Sequence, residues 1–296
     1  MTGQARRGTL SPMKTTHHIV LLVVSLLLSG VAPGSAETSI WIASGPLGGT
    51  YRNVYATNLE KLMRGYEIFH HTSTGSGENL ELLANGKANL AFAQADVYAA
   101  RLTAEPDRFG GLLVIGKLAD ECIYLAHRRQ GPVTGFAQLG QPVGDRPSRV
   151  ALGPETGGMQ GTWRHLVGLE PELAGVEVRT GTDTLAINQL AVGVFDAVGW
   201  VTDPRNFKHN MLRAVLSNDA LALMQLTDPA LVTALPDGTQ VYRQHTVKLA
   251  AGWRAPKLNT VCTSALVFAR EDSDPKLVKK VADLVSLQLD TIVPPE

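Results

Sequence analysis

The sequence contains the same succession of features twice. An apolar run at residues 39–43 is followed by a glycine-rich turn at 44–50 and then by apolar residues at helical spacing. A second apolar run at 149–152 is followed by a glycine-rich turn at 153–158 and by another helical pattern. Short apolar runs that alternate with helical patterns are typical of α/β proteins. The order of events therefore predicts two similar α/β units.

The spacing of the later landmarks supports this repeat. Gly86 follows Gly45 by 41 residues, and Gly193 follows Gly153 by 40 residues. Each later glycine introduces a further buried strand. Two such units favour a pair of lobes that face each other across a cleft, rather than a solenoid, which needs several short repeats. Ligands bind at the carboxyl ends of strands in open α/β sheets, which is where both glycine-rich turns are expected.

The remaining chain indicates how the lobes are connected. A stretch rich in glycine and proline at 131–147 is typical of a linker, and apolar runs at 112–115 and 123–126 precede it. A further strand is predicted at 261–269, and a final helix capped by Asp274 is predicted to pack on the first lobe. These patterns predict a first lobe at 37–125 plus 265–296 and a second lobe at 126–264.

The first 36 residues have the pattern of a secretory signal. Three basic residues, an apolar run at 19–28 and small residues ending at Ala36 follow one another. The apolar run is too short for a membrane anchor. Met13 is an alternative start, because the chain from there already contains all three parts. The protein is expected in the periplasm or another extracytoplasmic space.

Charge and cysteine content exclude some partners. The 260 residues after Ala36 contain 24 basic and 27 acidic residues, so no basic surface for nucleic acid or anionic lipid is indicated. The chain has two cysteines, Cys122 and Cys262. In an oxidising compartment one structural disulfide is one interpretation, and two buried free thiols are the other. Their separation does not favour a metal site.

Three segments resemble a known family. Residues 42–51, 73–86 and 88–96 are similar to the TAXI family, the extracytoplasmic solute receptors of tripartite ATP-independent periplasmic (TRAP) transporters. The similarity continues more loosely at 149–203 and 259–270. The resemblance implies a type II periplasmic-binding-protein fold with the ligand cleft between the lobes. It also implies a small carboxylate ligand, such as glutamate, a dicarboxylate or an oxo-acid, and membrane permease subunits as partners.

The sequence departs from the family pattern at two places. Relatives commonly carry a Gly-Ser-Gly-Thr type of run in the second lobe, where this chain has 156–159 with two fewer hydroxyl groups. Where relatives tend to have a Tyr-Pro pair, this chain has Asp203 before Pro204. An aspartate there either binds an ammonium group, repels a carboxylate or caps a helix. The ligand of relatives is therefore not transferred to this chain.

Main-chain amides are the candidate anion-binding groups. A glycine-rich turn that enters a helix leaves N–H groups without carbonyl partners, and the helix dipole adds positive potential. Glycine also serves tight turns without any ligand, but two equivalent turns favour the functional interpretation. The candidate ligand-binding residues of the turns are Gly48, Gly49 and Thr50 in the first lobe and Thr156, Gly157 and Gly158 in the second.

Further candidates surround the same predicted cleft. Ser76 and Asn79 lie at the second turn, where they either bind the ligand or cap a helix. Gln94 follows a buried strand and is expected to point into the cleft. Tyr51 and Trp200 are candidates for aromatic rings that line the cavity, with the hydrophobic core as the alternative.

Catalysis is not indicated. The chain has no Gly-x-Ser-x-Gly elbow and no His-Glu-x-x-His motif, and His70 and His71 are expected on opposite faces of a strand. We therefore predict a binding protein without cofactor or metal, monomeric, whose ligand is a small organic anion or amino acid. Two alternatives share this architecture, namely an ABC-type substrate-binding protein and the ligand-sensing subunit of a sensor kinase.

Overall fold

The structure is a computed structural model that describes residues 38–181, 183–235 and 238–294. The predicted signal segment at 1–36 lies outside the described residues. No helix in the described ranges is long and apolar enough to cross a membrane.

Ten strands of the described chain form one sheet, and six of them belong to two groups of three. The first group is β1 (Thr38–Ala43), β2 (Tyr66–His71) and β3 (Leu90–Gln94). Two long strands, β4 (Leu112–Arg128) and β10 (Lys257–Arg270), lie between the groups. The second group is β5 (Arg149–Leu152), β6 (Glu177–Thr180) and β7 (Ala197–Thr202). Two edge strands are β8 (Leu221–Leu223), which pairs with β4, and β9 (Arg243–Lys248), which pairs with β10.

Helices cover both faces of the sheet. A π-helical segment at Tyr51–Ala56 continues directly into α1. The helices are α1 (Thr57–Leu62), α2 (Ser76–Ala84), α3 (Ala95–Ala104), α4 (Pro106–Phe109), α5 (Gly158–Leu169), α6 (Asp183–Ala191), α7 (Asn210–Leu216), α8 (Pro275–Leu287) and α9 (Leu289–Ile292). Short 3-10 turns lie at Phe136–Gln138, Pro171–Gly175 and Pro229–Val232.

The two groups of strands have the same topology. In the first, β1 pairs in parallel with both β2 and β3, and in the second, β5 pairs in parallel with both β6 and β7. A helix connects the outer strand to the inner strand in both groups, α2 in the first and α6 in the second. The repeat predicted from the sequence is therefore a repeat of structure, and the fold is the predicted two-lobed α/β fold.

The long strands connect the lobes. The runs predicted as separate strands at 112–115 and 123–126 are one continuous strand, β4. Residues 112–122 of β4 pair with β10, and from Cys122 onward β4 pairs with β7 of the second lobe. The polar residues between the two runs interrupt the apolar pattern, but the ladder to β10 continues through them. β4 and β10 thus carry the chain from one lobe to the other.

Each lobe has its own hydrophobic core. In the first lobe, Ile42 and Leu59 pack with Leu277 and Val281 of α8, as the sequence predicted for the last helix. The Asp274 carboxyl caps α8 by accepting a hydrogen bond from the Lys276 N–H at 2.9 Å. In the second lobe, the core includes residues of β5 and one face of α5. Burial of these separate apolar faces holds each turn at a fixed position above its own strands.

Cys122 and Cys262 form a disulfide. The two residues face each other in the β4–β10 ladder, at the point where β4 leaves the first lobe for the second. Both cysteines are buried. The disulfide therefore joins β4 and β10 at the point where β4 passes from the first lobe to the second.

Candidate functional site

The same turn begins the site in both lobes. After β1, the Gly49 N–H donates to the Pro46 carbonyl at 3.0 Å, and after β5, the Gly157 N–H donates to the Pro154 carbonyl at 2.9 Å. Each is a four-residue Pro-x-x-Gly turn that leads into a helix. The proline fixes the backbone φ angle at the start of the turn. The glycine, which has no side chain, allows its backbone to lie close to the proline carbonyl. This matching pair of Pro-x-x-Gly turns is a signal in the sequence that the analysis of glycines alone missed.

A cavity of about 710 Å³ lies between the two turns. That volume suits a small metabolite. Residues of both lobes line it: Pro46, Leu47, Gly48, Gly49, Thr50, Tyr51, Ser73, Thr74, Gly75, Ser76, Gln94 and Glu121 on one side, and Gly153, Pro154, Gly158, Met159, Gly181, Asp183, Gly199, Trp200, Val201, Thr202, Asn206, His209 and Met211 on the other. The turns therefore face a common space, as two opposed binding elements must.

Most of the predicted site residues lie on this cavity. Those in its lining are Gly48, Gly49, Thr50, Tyr51, Ser76, Gln94, Gly158 and Trp200. Those outside the lining are Asn79, Thr156, Gly157 and Asp203. A position in the cavity lining does not test whether a residue contacts a ligand. The binding role of the residues that line the cavity therefore stays a prediction.

Asn79 stabilises the second turn of the first lobe without lining the cavity. It is fully buried, its amide donates to the Phe92 carbonyl at 2.8 Å, and its oxygen accepts from the Ser73 hydroxyl. Both ends of the side chain are therefore occupied within the protein. Asn79 anchors the loop that carries Ser73 to β3.

Thr156 and Gly157 form a contact between the lobes. The Thr156 carbonyl accepts from the Glu78 N–H at 3.1 Å, and the Thr156 hydroxyl lies 2.6 Å from the Thr74 hydroxyl. Gly157 lies against Gly75, whose φ of +136° favours glycine. These residues close one wall of the cavity by joining the turn of the second lobe to a loop of the first.

Gln94 belongs to a buried network that also crosses between the lobes. Its carboxamide accepts from the Ser76 hydroxyl and donates to the Thr162 hydroxyl, both at 3.1 Å. Thr162, on α5, donates in turn to Asp96 at 2.7 Å, and the Tyr242 hydroxyl donates to the same carboxyl oxygen at 2.8 Å. Burial raises the pKa of Asp96 despite these bonds. The network positions Gln94 as part of the cavity wall.

This network predicts a loss of stability when Thr162 is replaced by valine. Thr162→Val keeps the shape but removes the hydroxyl that bonds both Asp96 and Gln94, so we expect the free energy of unfolding to fall by about 2 kcal/mol. Urea denaturation measures the change. Thr103→Val is the matched control, because the Thr103 hydroxyl donates to the Ala99 carbonyl within α3 and takes no part in the network of Asp96 and Gln94. Equal effects of the two substitutions would contradict the role of the buried network.

Asp203 does not line the cavity. Its carboxyl accepts from the backbone N–H of Arg205 at 2.8 Å and from the Arg205 guanidinium at 2.5 Å and 2.9 Å. Asp203 and Arg205 instead line a separate cavity beside β4. The structure therefore does not bring Asp203 to the place where the sequence analysis expected an ammonium partner.

Glu121 is a buried carboxyl group that lines the cavity, and the sequence analysis missed it. It lies on β4 directly before Cys122, and the Tyr51 hydroxyl donates to it at 2.8 Å. Burial raises its pKa to about 8, and the negative charges of Asp96 and Asp203 act in the same direction. The available signal was an acidic residue that immediately precedes a fully apolar run, 122–126.

A stack of rings lies at the cavity, where Trp200 and His209 form part of the lining. Trp200 stacks with Tyr124 with ring centroids 5.4 Å apart and with His209 with ring centroids 6.0 Å apart. The Trp200 Nε1 and the His209 Nδ1 are buried and have no hydrogen-bond partner among the described residues. The stack offers an apolar surface and one unused indole N–H donor.

The cavity lining contains no lysine or arginine in the described part of the chain. Its acidic residues are Glu121 and Asp183, and burial lowers the pKa of His209 from its ordinary value, so that the imidazole is neutral at pH 7. No cluster of metal-ligating side chains occurs in the described ranges. The described cavity wall therefore has no lysine or arginine side chain to offer to an anionic group.

Two α/β lobes of equal topology, two connecting strands and a cavity between opposed turns define the type II periplasmic-binding-protein fold. The chain belongs to the NMT1-like family, whose model matches residues 42–292. A comparison with curated proteins finds no significant match.

Solved structures support the assignment of the fold. XAC2383 from Xanthomonas citri bound to chloride ion is 10% identical, with a TM-score of 0.53 over 87% of this chain and 86% of that chain. YhfZ from Shigella flexneri is 19% identical, with a TM-score of 0.50 over 88% and 93%. A putative L-cystine ABC transporter from Listeria monocytogenes is 14% identical, with a TM-score of 0.50 over 86% and 94%. At these identities the similarity shows the fold alone.

Proposed function

We propose that this chain is an extracytoplasmic solute-binding protein, which holds a small carboxylate-bearing metabolite between its lobes and delivers it to a membrane permease. The observation that carries the proposal is the pair of equivalent Pro-x-x-Gly turns, one from each lobe, that face one cavity of about 710 Å³. A ligand that contacts both turns favours the closed arrangement of the lobes, because it interacts with both only there.

The chemistry of the turns suits a carboxylate. The Gly49 and Gly157 amides are used within the turns themselves, so the amides offered to a ligand are those of the first turns of the following helices. First-turn amides have no intrahelical partner and lie at the positive end of the helix dipole. Thr50 and Gly158 stand at these starts and line the cavity. Together they provide anion binding without a basic side chain.

The proposed partner is a TRAP-type permease. The resemblance of segments 42–51, 73–86 and 88–96 to the TAXI receptors supports it, together with the predicted secretory signal. An ABC-type transporter is the second candidate, which the fold of the putative L-cystine ABC transporter favours. A neighbouring gene for a multi-span TRAP permease supports the first candidate, and a neighbouring ATPase gene supports the second.

We also propose the lobe boundaries at 37–125 plus 265–296 and at 126–264. The strand β4 changes its pairing partner from β10 to β7 at Cys122, close to the first boundary. The second boundary lies within β10, next to the segment of that strand that pairs with β3 of the first lobe.

Ligand binding is expected to raise the melting temperature, since a ligand that binds only the folded chain stabilises it by mass action. The test is a thermal-shift screen of amino acids, dicarboxylates, oxo-acids and sugars. We expect some carboxylates to raise the melting temperature by several degrees and sugars to have no effect. Stabilisation by sugars alone would refute the role of the turns.

A cavity-filling variant connects this effect to the proposed site. Gly153 lines the cavity and has open space where a Cβ would stand, so Gly153→Phe is expected to fill the site and to abolish the ligand-induced shift. Gly175→Phe is the control, because Gly175 also has open space but lies outside the cavity lining. A full ligand response in Gly153→Phe would place the binding site elsewhere.

A further inference from the structure

The cavity contains a buried carboxyl group for which the described part of the chain supplies no cation. Glu121 is 8% exposed and lines the cavity. The Tyr51 hydroxyl is its only hydrogen-bond partner among the described residues, and no lysine or arginine of that part of the chain forms an ion pair with it. Buried carboxylates are normally paired, because an isolated charge in a poorly solvated site is costly. Glu121 is thus a hydrogen-bond acceptor that has no cationic partner among the described residues.

The charged groups packed around Glu121 make its surroundings negative. Asp96, at the start of α3, and Asp203, after β7, both act on it with negative charge. Asp203 is already bonded to Arg205, whereas the donors that bond Asp96 within the described ranges are neutral, two hydroxyl groups and a backbone N–H. A cation that enters the cavity beside Glu121 therefore meets an attractive field.

The same cavity also offers donors. The first-turn amides at Thr50 and Gly158 line it, and the indole N–H of Trp200, which is 5% exposed, has no partner among the described residues. Asp183 also faces the space, and His209 is neutral at pH 7 because burial lowers its pKa. Donors for an anionic group and an acceptor for a cationic group thus line one cavity of about 710 Å³.

We propose that the ligand is a zwitterion, an amino acid or a related amino-carboxylate, whose ammonium group is bound by Glu121 and whose carboxylate is bound at the two turns. This inference rests on the proposed function and narrows its ligand class. A 2-oxo acid or a simple dicarboxylate leaves Glu121 without a partner and adds negative charge beside it. Glu121 is then the residue that selects the amine.

The protonation of Glu121 gives the proposal a second observable. Its pKa of about 8 means that the empty site holds a proton at pH 7, which an ammonium group displaces on binding. Below pH 8, binding is expected to release up to one proton per ligand, and the affinity is expected to rise by up to about tenfold per pH unit between pH 6 and 7.5. Direct binding of a carboxylate by the protonated Glu121 instead predicts an affinity that is nearly constant between pH 6 and 7 and that falls above about pH 8.

The experiment compares L-amino acids with their 2-oxo counterparts, such as L-glutamate with 2-oxoglutarate. Thermal shift identifies the pairs that bind, and titration calorimetry in buffers of different ionisation enthalpy measures affinity and proton release. We expect the amino member to bind at least about tenfold more tightly than the oxo member, and Glu121→Gln to weaken its binding by about 100-fold, as for a buried charge pair. Asp120→Asn is the control, because Asp120 is the adjacent residue of β4 but bonds Lys117 and Arg243 outside the cavity.

The outcomes distinguish a failure of the proposed amine subsite from a failure of the proposed binding function. Equal binding of amino and oxo members, with no effect of Glu121→Gln, overturns the amine subsite but leaves a carboxylate receptor. Absence of binding by either member of every pair overturns the proposed function as well. If Glu121→Gln does not fold, the pH dependence of the unmodified protein decides, because an affinity that stays constant or falls between pH 6 and 7.5 contradicts an ammonium bound by Glu121.

Discussion

Loss of the disulfide between Cys122 and Cys262 is expected to lower the free energy of unfolding by about 3 to 5 kcal/mol. The bond closes a loop of 140 residues, so reduction releases a long segment of the unfolded chain and increases its conformational entropy. It also joins β4 and β10 at the residue where β4 changes from the first lobe to the second. Both the loop length and the position favour a large effect.

Guanidinium denaturation with and without a reducing agent measures this effect. The midpoint of the unmodified protein is expected to fall when the reductant is present, because the cysteines become accessible in the unfolded chain. The double substitution Cys122→Ala with Cys262→Ala serves as control, since its lower midpoint must not respond to reductant. Identical midpoints in the unmodified protein under both conditions, or alkylation of the native protein without reductant, would indicate free thiols instead.

The fold was predictable to the extent that its signals are local. The repeated order of apolar run, glycine-rich turn and helical pattern depends on residues close together in sequence, and the structure confirms it as two groups of strands with equal topology. β4 was divided into two strands because residues 116–121 interrupt its apolar pattern. The pairing with β10, which lies about 140 residues further along, carries the strand through that interruption. The short strand β6 was not predicted, because it is half exposed and has no apolar alternation.

The candidate site was likewise predictable only where it depends on residues that are close together in the sequence. The two turns were predicted from short motifs, and Gly48, Gly49 and Gly158 lie on the cavity. Choosing between the carboxyl groups of Asp203 and Glu121 required tertiary structure. Asp203 is neutralised by a residue two positions away, a local pairing that the Asp-Pro-Arg sequence already contains. Glu121 reaches the cavity only because β4 crosses between the lobes there, which no local pattern reports.

The unpaired Glu121 carboxyl is expected to destabilise the empty protein at neutral and alkaline pH. In the unfolded chain this group loses its proton near its ordinary pKa of 4.5, whereas in the folded chain burial raises the pKa to about 8. The folded state therefore binds more protons between these values, and the contribution of this group to the free energy of unfolding decreases as the pH rises from 4.5 to 8. At about 1.4 kcal/mol per pH unit, the total is up to about 4 kcal/mol.

Glu121→Gln is accordingly expected to be more stable than the unmodified protein at pH 8, by up to about 4 kcal/mol, and equally stable near pH 4.5. Urea denaturation at several pH values measures the difference, and Asp120→Asn is the control. Salt bridges to Lys117 and Arg243 lower the pKa of Asp120, so its substitution is expected to reduce stability at pH 8 rather than increase it.

A gain in stability that does not depend on pH would contradict this account, since only a group that titrates in the folded chain produces the window from 4.5 to 8. An amino acid that binds through Glu121 adds a further consequence. Its ammonium group supplies the missing cation, so the saturated unmodified protein is expected to recover most of the difference from Glu121→Gln at pH 8, while the variant gains little from the same ligand. The carboxyl group that destabilises the empty protein is, in this account, the group that the ammonium of the ligand stabilises.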